Sequence, residues 1–249
     1  MARLHEYQGK KLLAEAGVAV PQGGPVTSPD EAAEMARRVG GRVILKVQAW
    51  ITGRAAMGGI RFADTPQQAR HEAAALLGMK LGHFVVNEVL VERAVDIAHE
   101  LFVSLALDDE NRAPVLLLDT RGGSGIEERA GSVNRLPVDC ANGIETDAIL
   151  DALRGSPIDH GHHDKLAAAI RAIVEVAGRY EARSLEVNPL VVTAEGEVVA
   201  ADCRMTIDDY AVFRHPELGI EIARELDHPA TDLERWAYQV EQQDHRGTF

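Results

Sequence analysis

The chain has 249 residues, 46% of them hydrophobic and 4% aromatic, enough length and apolar content to bury a substantial core, which excludes disorder, collagen and coiled coil. Its 26 Lys and Arg against 39 Asp and Glu give a formal net charge of -13, which argues against nucleic acid or an anionic membrane as partner but leaves room for a confined basic pocket. Cys140 and Cys203 form neither a disulfide framework nor a metal spacing, no apolar run reaches membrane-spanning length, and His5, Glu6, Lys10 and Lys11 stand where a signal peptide would be apolar, so the expected compartment is the cytoplasm.

In chain order, Leu4, Tyr7, Leu12, Leu13 and Ala16 fall on one face and Gly17 follows, predicting a helix over 4–16. Ser28-Pro29-Asp30-Glu31 reads as a capping box opening a helix that ends at Gly40-Gly41. Arg42 to Gln48 reads as a buried strand interrupted by Lys46, followed by a glycine-bearing loop from Ala49 to Gly59 and a short strand over 60–63. Thr65-Pro66 opens a helix closed by Gly78. Valine-rich stretches at 84–92, 100–107 and 113–119 predict a sheet, and helices are expected over 147–153 and 163–180. Two strands about a turn are expected in 184–204, with a charged helical tail from Pro216 onward.

The turn Ala194-Glu195-Gly196 sets a hairpin register in which Thr193 pairs with Glu197, Asn188 faces Asp202 and Glu186 faces Arg204. Period-2 alternation puts these four on one face with Leu190, Val192, Val198 and Ala200, and Leu185, Val187, Val191, Val199 and Ala201 on the other. A carboxylate opposite a carboxamide, with a second carboxylate nearby, is hard-oxygen chemistry suited to Mg²⁺ held against phosphates. The aliphatic residues around this polar column suggest the mouth of a buried cleft.

Lys46 lies in the apolar run Val43-Ile44-Leu45-Lys46-Val47, where a charge needs a partner or a ligand. Seven residues on, Gly53-Arg54-Ala55-Ala56-Met57-Gly58-Gly59 could cradle phosphate with backbone N–H groups and an arginine, though it is neither a Walker A loop nor a Rossmann fingerprint. With Leu4-His5-Glu6-Tyr7-Gln8, Leu90-Val91-Glu92, the run Asp96 to Leu101, Gly122-Gly123, Glu186-Val187-Asn188-Pro189-Leu190 and Phe213-Arg214-His215-Pro216, the chain resembles the ATP-grasp part of the β subunit of succinyl-CoA synthetase and malate-CoA ligase.

The resemblance implies an α+β ATP-grasp fold of two α/β lobes with mixed or antiparallel sheets and the nucleotide between them. The smaller lobe would span 21–98, the larger 1–20 and 99–226, and 227–249 would be a helical tail leading to a ligase domain that the chain lacks. It implies ATP or ADP bound through Lys46, Gly53 and Arg54, with Glu92 and Val95 at the adenine hinge and Glu100 on the nucleotide. Asn188 and Asp202 would hold Mg²⁺, with Glu186 and Arg204 in support. The implied enzyme is an ADP-forming, succinate-CoA-ligase-like acid–thiol ligase related to the tricarboxylic acid cycle. In the family, phosphate passes to a histidine on an α-type CoA-binding partner, which together with the ligase domain handles CoA and a small dicarboxylate. No catalytic residue is therefore assigned to this chain.

Three departures stand out: Gly53-Arg54-Ala55-Ala56 where the family has Gly-Arg-Gly-Lys, Val95 where it has threonine, and an end at Phe249 where family β subunits continue. The rival readings are a free-standing ATP-dependent carboxylate–amine ligase and a non-catalytic nucleotide-binding module. His160-Gly161-His162-His163-Asp164 reads as loop and helix start rather than a metal cluster, His99 as a variable position, Glu221 to Glu234 as a solvated surface, and Trp50 as a packing residue or a base-stacking one.

Overall fold

A computed structural model describes residues 2–49, 53–82, 84–123, 131, 133–222 and 230–243. Trp50 and the tail segments 223–229 and 244–249 lie outside the described residues.

Two antiparallel sheets, each with its own helices, organise the chain. The larger has the order β1-β13-β11-β8-β9-β10, with β12 paired to β11. Its members are β1 (Ala2–Arg3), β8 (Ile97–Asp108), β9 (Ala113–Asp119), β10 (Asn134–Pro137), β11 (Ala182–Thr193), β12 (Val198–Ala200) and β13 (Arg204–Ile207). The smaller has the order β2-β7-β3-β4, from β2 (Gly23–Val26), β3 (Val43–Val47), β4 (Ile60–Ala63) and β7 (Val89–Arg93). A separate ribbon pairs β5 (Lys80–Leu81) with β6 (Phe84–Val85).

Helices α2 (Pro29–Val39) and α3 (Pro66–Leu76) cover the smaller sheet. Each starts as expected: the Ser28 side chain accepts from Glu31 N–H at 3.3 Å, the Thr65 side chain from Gln68 N–H at 3.2 Å, and a proline follows each cap. Their inward residues Ala32, Ala36, Ala69, Ala73 and Leu76 pack with Val43, Leu45, Val47, Val89 and Val91 as one core. The larger sheet is packed by α1 (Glu6–Glu15) and α5 (His163–Arg179), with α4 (Thr146–Leu153) against α5. In α5, Leu166, Ile170, Ile173, Val174 and Ala177 form the helical stripe buried in the second core.

Two expectations are corrected. The stretch 84–92 is not one strand: β6 ends at Val85 and β7 begins at Val89. The tail is not helical from Pro216, because Pro216–Leu218 is a single 3₁₀ turn ended by Gly219 at φ 64°, and the helix α6 (Asp232–Gln243) begins only later.

The hairpin register holds at the pairs the strands make, but the expected second strand is broken into β12 and β13, and the Asn188–Asp202 position falls in the break between them, outside the paired strands. Leu190 pairs with Ala200, Val191 with Val199 and Val192 with Val198, Glu186 pairs with Arg204, and Thr193 N–H donates to Glu197 O at 2.9 Å around Gly196 at φ 78°. The face assignment does not hold. Against β8, Val187 pairs with Val103 but Leu190 with Leu101, a one-residue shift at Asn188-Pro189. Such a shift flips every later side chain to the other face. Leu185, Val187, Leu190 and Val192 therefore share one core, and the aliphatics assigned to the polar column lie behind the sheet.

Ile170 is fully buried in the larger core. Ile170→Ala should lower the unfolding free energy by about 2–5 kcal/mol in denaturant titration; a loss under about 1 kcal/mol would mean that α5 is not packed as described.

Candidate functional site

The opening helix places two buried charges. His5 is the N-cap of α1, and its N–H donates to the Gln8 side-chain oxygen at 2.8 Å. This sets Glu6 in the first turn, where a helix N-terminus favours a carboxylate. Gly9 must be small, since a Cβ there would lie 2.6 Å from Cys203 Sγ, and its absence brings α1 against the segment 201–203. Lys10, one turn after Glu6, shares its face, and both side chains are almost fully buried.

These charges belong to a network joining elements of both sheets. Lys46 Nζ, at the end of β3, lies 2.6 Å from Glu6 Oε1 and 3.4 Å from Glu92 Oε2. Lys10 Nζ lies 2.8 Å from Glu6 Oε1 and 2.7 Å from Glu92 Oε2. Both ammonium groups also donate to Ala201 O, at 2.8 Å from Lys10 and 2.7 Å from Lys46. Arg54 Nη2 reaches Glu6 Oε2 at 2.9 Å and Asp202 Oδ2 at 3.2 Å, while its Nη1 donates to Val47 O at 3.1 Å. Lys10, Lys46 and Arg54 thus balance Glu6, Glu92 and Asp202, as charges removed from water require.

Burial opposes ionisation of Glu6, but Lys46, Lys10 and Arg54 outweigh it and hold its carboxyl well below the usual range. Burial likewise opposes the charge on Lys46, and Glu6, Glu92 and Asp202 reverse that and raise its pKa. Burial, aided by Arg54, lowers the pKa of His5, which favours its neutral form.

Beside this network is a cavity of about 310 Å³ lined by Gln48, Gly53, Arg54, Glu186, Asn188 and Asp202, with Arg204 also on its wall, a volume at the lower end for small-molecule sites. The loop forming one side is compact: Gly59 N–H donates to Arg54 O at 2.8 Å and Val47 N–H to Gly59 O at 2.9 Å. A side chain at Gly59 would meet Val47 at 2.7 Å. On the other side, Asn188 Oδ1 accepts from Gly123 N–H at 2.9 Å and its Nδ2 donates to Gly123 O at 3.3 Å. Gly122 and Gly123 allow the chain to cross β8, since a Cβ on the first would lie 2.7 Å from Leu101 backbone and one on the second 2.6 Å from Glu100 Oε2.

Gln48 is 6% exposed. Its Nε2 donates to Lys46 O at 3.3 Å and Val47 O at 3.4 Å, and its Oε1 has no hydrogen-bond partner among the described residues. Reversing the amide would set its oxygen against those two carbonyls, so the acceptor is the end left unsatisfied by the described residues.

Of the expected site residues, the cavity gathers Gly53, Arg54, Asn188, Asp202, Glu186 and Arg204. Lys46 and Glu92 are buried in the ion-pair network, Glu100 lies beside Gly123 and Asn188, and half-buried Val95 is in the loop between β7 and β8. Glu6, Lys10 and Gln48 carry the site but were not expected there; the signal was charge at an i,i+4 spacing next to Leu12 and Leu13. His160, His162 and His163 serve the start of α5, with His163 Nε2 3.1 Å from Ile158 O.

The donor set fits Mg²⁺. Asp202, Glu186 and Asn188 offer hard oxygens at one cavity, and Mg²⁺ needs only one or two carboxylates because it keeps several waters. Among the described residues no three His, Cys, Asp or Glu side chains form a metal-holding group, so a dedicated all-protein cage is not what these residues build.

The model of the ATP-grasp domain matches residues 3–192. The chain belongs to the ATP-grasp family. It is 39% identical over 230 residues to the β subunit of a GDP-forming succinate–CoA ligase of Thermus thermophilus, covering 91% of this chain and 61% of the relative. The ADP-forming counterpart of Rubrobacter xylanophilus is 36% identical over 238 residues, covering 92% and 62%. The chain thus spans about three fifths of the length of these relatives. Among solved structures, ATP citrate lyase from Methanothrix soehngenii superposes with a TM-score of 0.74 at 19% identity, over 98% of this chain and 60% of that one. The dinucleotide-forming acetyl-coenzyme A synthetase 1 of Ca. Korarchaeum cryptofilum gives 0.62 at 17%, over 82% and 93%. Both share the ATP-grasp fold. No helix among the described residues is long and apolar enough to cross a membrane.

The network should govern stability. A depressed carboxyl stabilises the fold above its ordinary value of 4.5 and loses this as pH falls towards its folded value; a raised ammonium stabilises below its ordinary 10.5 and loses this only as pH rises past it. Stability from the network should therefore be flat between about pH 5 and 9 and fall on the acid side. Glu6→Gln, which leaves buried cations under-compensated, should cost roughly 3–5 kcal/mol on this plateau and shrink the acid loss. Denaturant titration across pH checks both, and an unchanged acid limb in the variant would refute the assignment to Glu6.

Proposed function

We propose that this chain is the ATP-grasp nucleotide-binding module of an ADP-forming carboxylate–CoA ligase, working with an α-type CoA-binding partner and a ligase domain. The supporting observation is that one cavity is lined by both the Gly53-Arg54 loop, backed by Lys46, and Asn188 with Asp202. In this reading the cavity takes the phosphate chain of a nucleoside triphosphate. Gly53 and Arg54 hold its oxygens, Lys46 adds positive potential from behind, and Asn188 and Asp202 hold Mg²⁺ with Glu186 beside them. When bound, Mg²⁺ would offset charge on the phosphate oxygens during transfer.

Phosphoryl transfer asks mainly for positioning and charge neutralisation. Arg54 supplies a planar donor fork anchored to Val47 O, a geometry suited to phosphate oxygens. Gln48 Oε1 accepts a donor from the bound complex. Glu100 supports Asn188 through Gly123, and Glu92 with Val95 marks the approach to the base. The acceptor is a histidine of the partner, and CoA and a small dicarboxylate are bound mostly there; the reaction is the succinate–CoA-ligase type in the cytoplasm. The similarity to succinate–CoA ligase β subunits over nine tenths of the chain supports this.

Calorimetric titration with Mg-ATP and Mg-GTP tests the reading. One of them should bind, Asp202→Ala should weaken it at least about tenfold, and Gln48→Leu should weaken it about 3- to 10-fold, the worth of one neutral hydrogen bond. Binding of neither nucleotide by the parent chain would sink the proposal. ADP release with acids and amines but no partner protein would favour a carboxylate–amine ligase instead.

A further inference from the structure

Arg54 is held between two carboxylates of unequal burial. Its Nη2 is 2.9 Å from Glu6 Oε2 and 3.2 Å from Asp202 Oδ2. The Glu6 side chain is 1% exposed and is also bound by Lys10 and Lys46, so its departure would leave two buried ammonium groups sharing Glu92 as their one remaining carboxylate in the network. The Asp202 side chain is 30% exposed, and its other hydrogen bond is from the adjacent Cys203 N–H to Oδ1, at 2.7 Å. It lines the cavity together with Asn188. A phosphate reaching Arg54 therefore meets a guanidinium already neutralised, with Asp202 repelling the incoming anion. A cation reaching Asp202 meets a carboxylate already paired.

We propose that Asp202 is exchanged between two partners: it neutralises Arg54 in the empty cleft and moves to the divalent cation on loading, which releases Arg54 to the polyphosphate. This rests on the reading of the cleft as a metal–nucleotide site and adds its thermodynamic coupling. Cation and polyphosphate each remove the obstacle to the other, so each raises the other's affinity by the same factor. The cleft, with Arg54 already paired to Asp202, then rejects metal-free polyphosphate and prefers the metal complex.

The test uses the full chain, Mn²⁺ alone and inorganic triphosphate alone. In EDTA, Asp202→Asn should bind triphosphate about tenfold more tightly than the parent, and the gain should vanish when Arg54→Gln is added. Without phosphate, Arg54→Lys should bind Mn²⁺ several-fold more tightly than the parent: it keeps the charge and can still pair with Glu6, but it lacks the fork spanning both carboxylates. Read by water-proton relaxation, unchanged Mn²⁺ affinity in Arg54→Lys would overturn the exchange, as would a triphosphate gain that survives loss of Arg54. Either result alongside normal Mg-nucleotide binding by the parent defeats the exchange alone. Absence of that binding defeats the functional reading and the exchange with it.

Discussion

The Glu6 carboxylate is the constraint around which the cleft is arranged. It is almost fully buried, and a charge so placed is tolerable only if cations surround it. Those cations come from separate parts of the fold: Lys10 from its own helix, Lys46 from the smaller sheet and Arg54 from the loop after it. Satisfying one carboxylate therefore ties the opening helix, which packs on the larger sheet, to an interior strand of the smaller one. Ala201 O and Glu92 complete the coordination of the two lysines, and Gly9 allows the approach that makes it possible.

The same arrangement sets the electrostatics of the cavity. Two of the three cations of the network are spent on carboxylates behind the wall, and Arg54 is shared with Asp202 at its mouth. The local field is close to balanced instead of strongly positive, in keeping with a chain of net charge -13. In water-poor surroundings small shifts of a carboxylate carry large changes in potential. If Asp202 exchanges partners as proposed, such a balanced cluster would be a more selective receptor for a metal-bound anion than a fixed patch of lysines.

Much of the fold was legible because its signals are local. Ser28-Pro29 and Thr65-Pro66 start their helices through caps that involve only neighbouring residues, and the Ala194-Glu195-Gly196 turn fixes a register that Leu190, Val191 and Val192 then follow. The shift at Asn188-Pro189 was not legible, because it arises in pairing with β8, nearly ninety residues earlier in the chain. It overturned the face assignment while leaving Glu186, Asn188 and Asp202 at the same cavity. Likewise, Lys46 announced itself as a charge in an apolar strand. Its partner Glu6 lay 40 residues away in an ordinary-looking amphipathic helix, where nothing in the spacing told a buried carboxylate from a solvated one.

The loop departures from the family pattern weigh differently once the backbone is known. Gly53 and Gly58 take positive φ, at 73° and 75°, and Gly59 is needed for its contact with Val47. Ala55 and Ala56 are not among the non-glycine residues at positive φ, so alanine there imposes no left-handed strain. Both are exposed, and the closing bonds from Gly58 to Ala55 O and from Gly59 to Arg54 O are made by backbone atoms that any residue supplies. The loop keeps its shape without the family's second glycine, and what is lost is one positive charge at an exposed tip. That loss leaves Arg54 as the positive charge among residues 53–59 that lines the cavity, the same group that Asp202 neutralises.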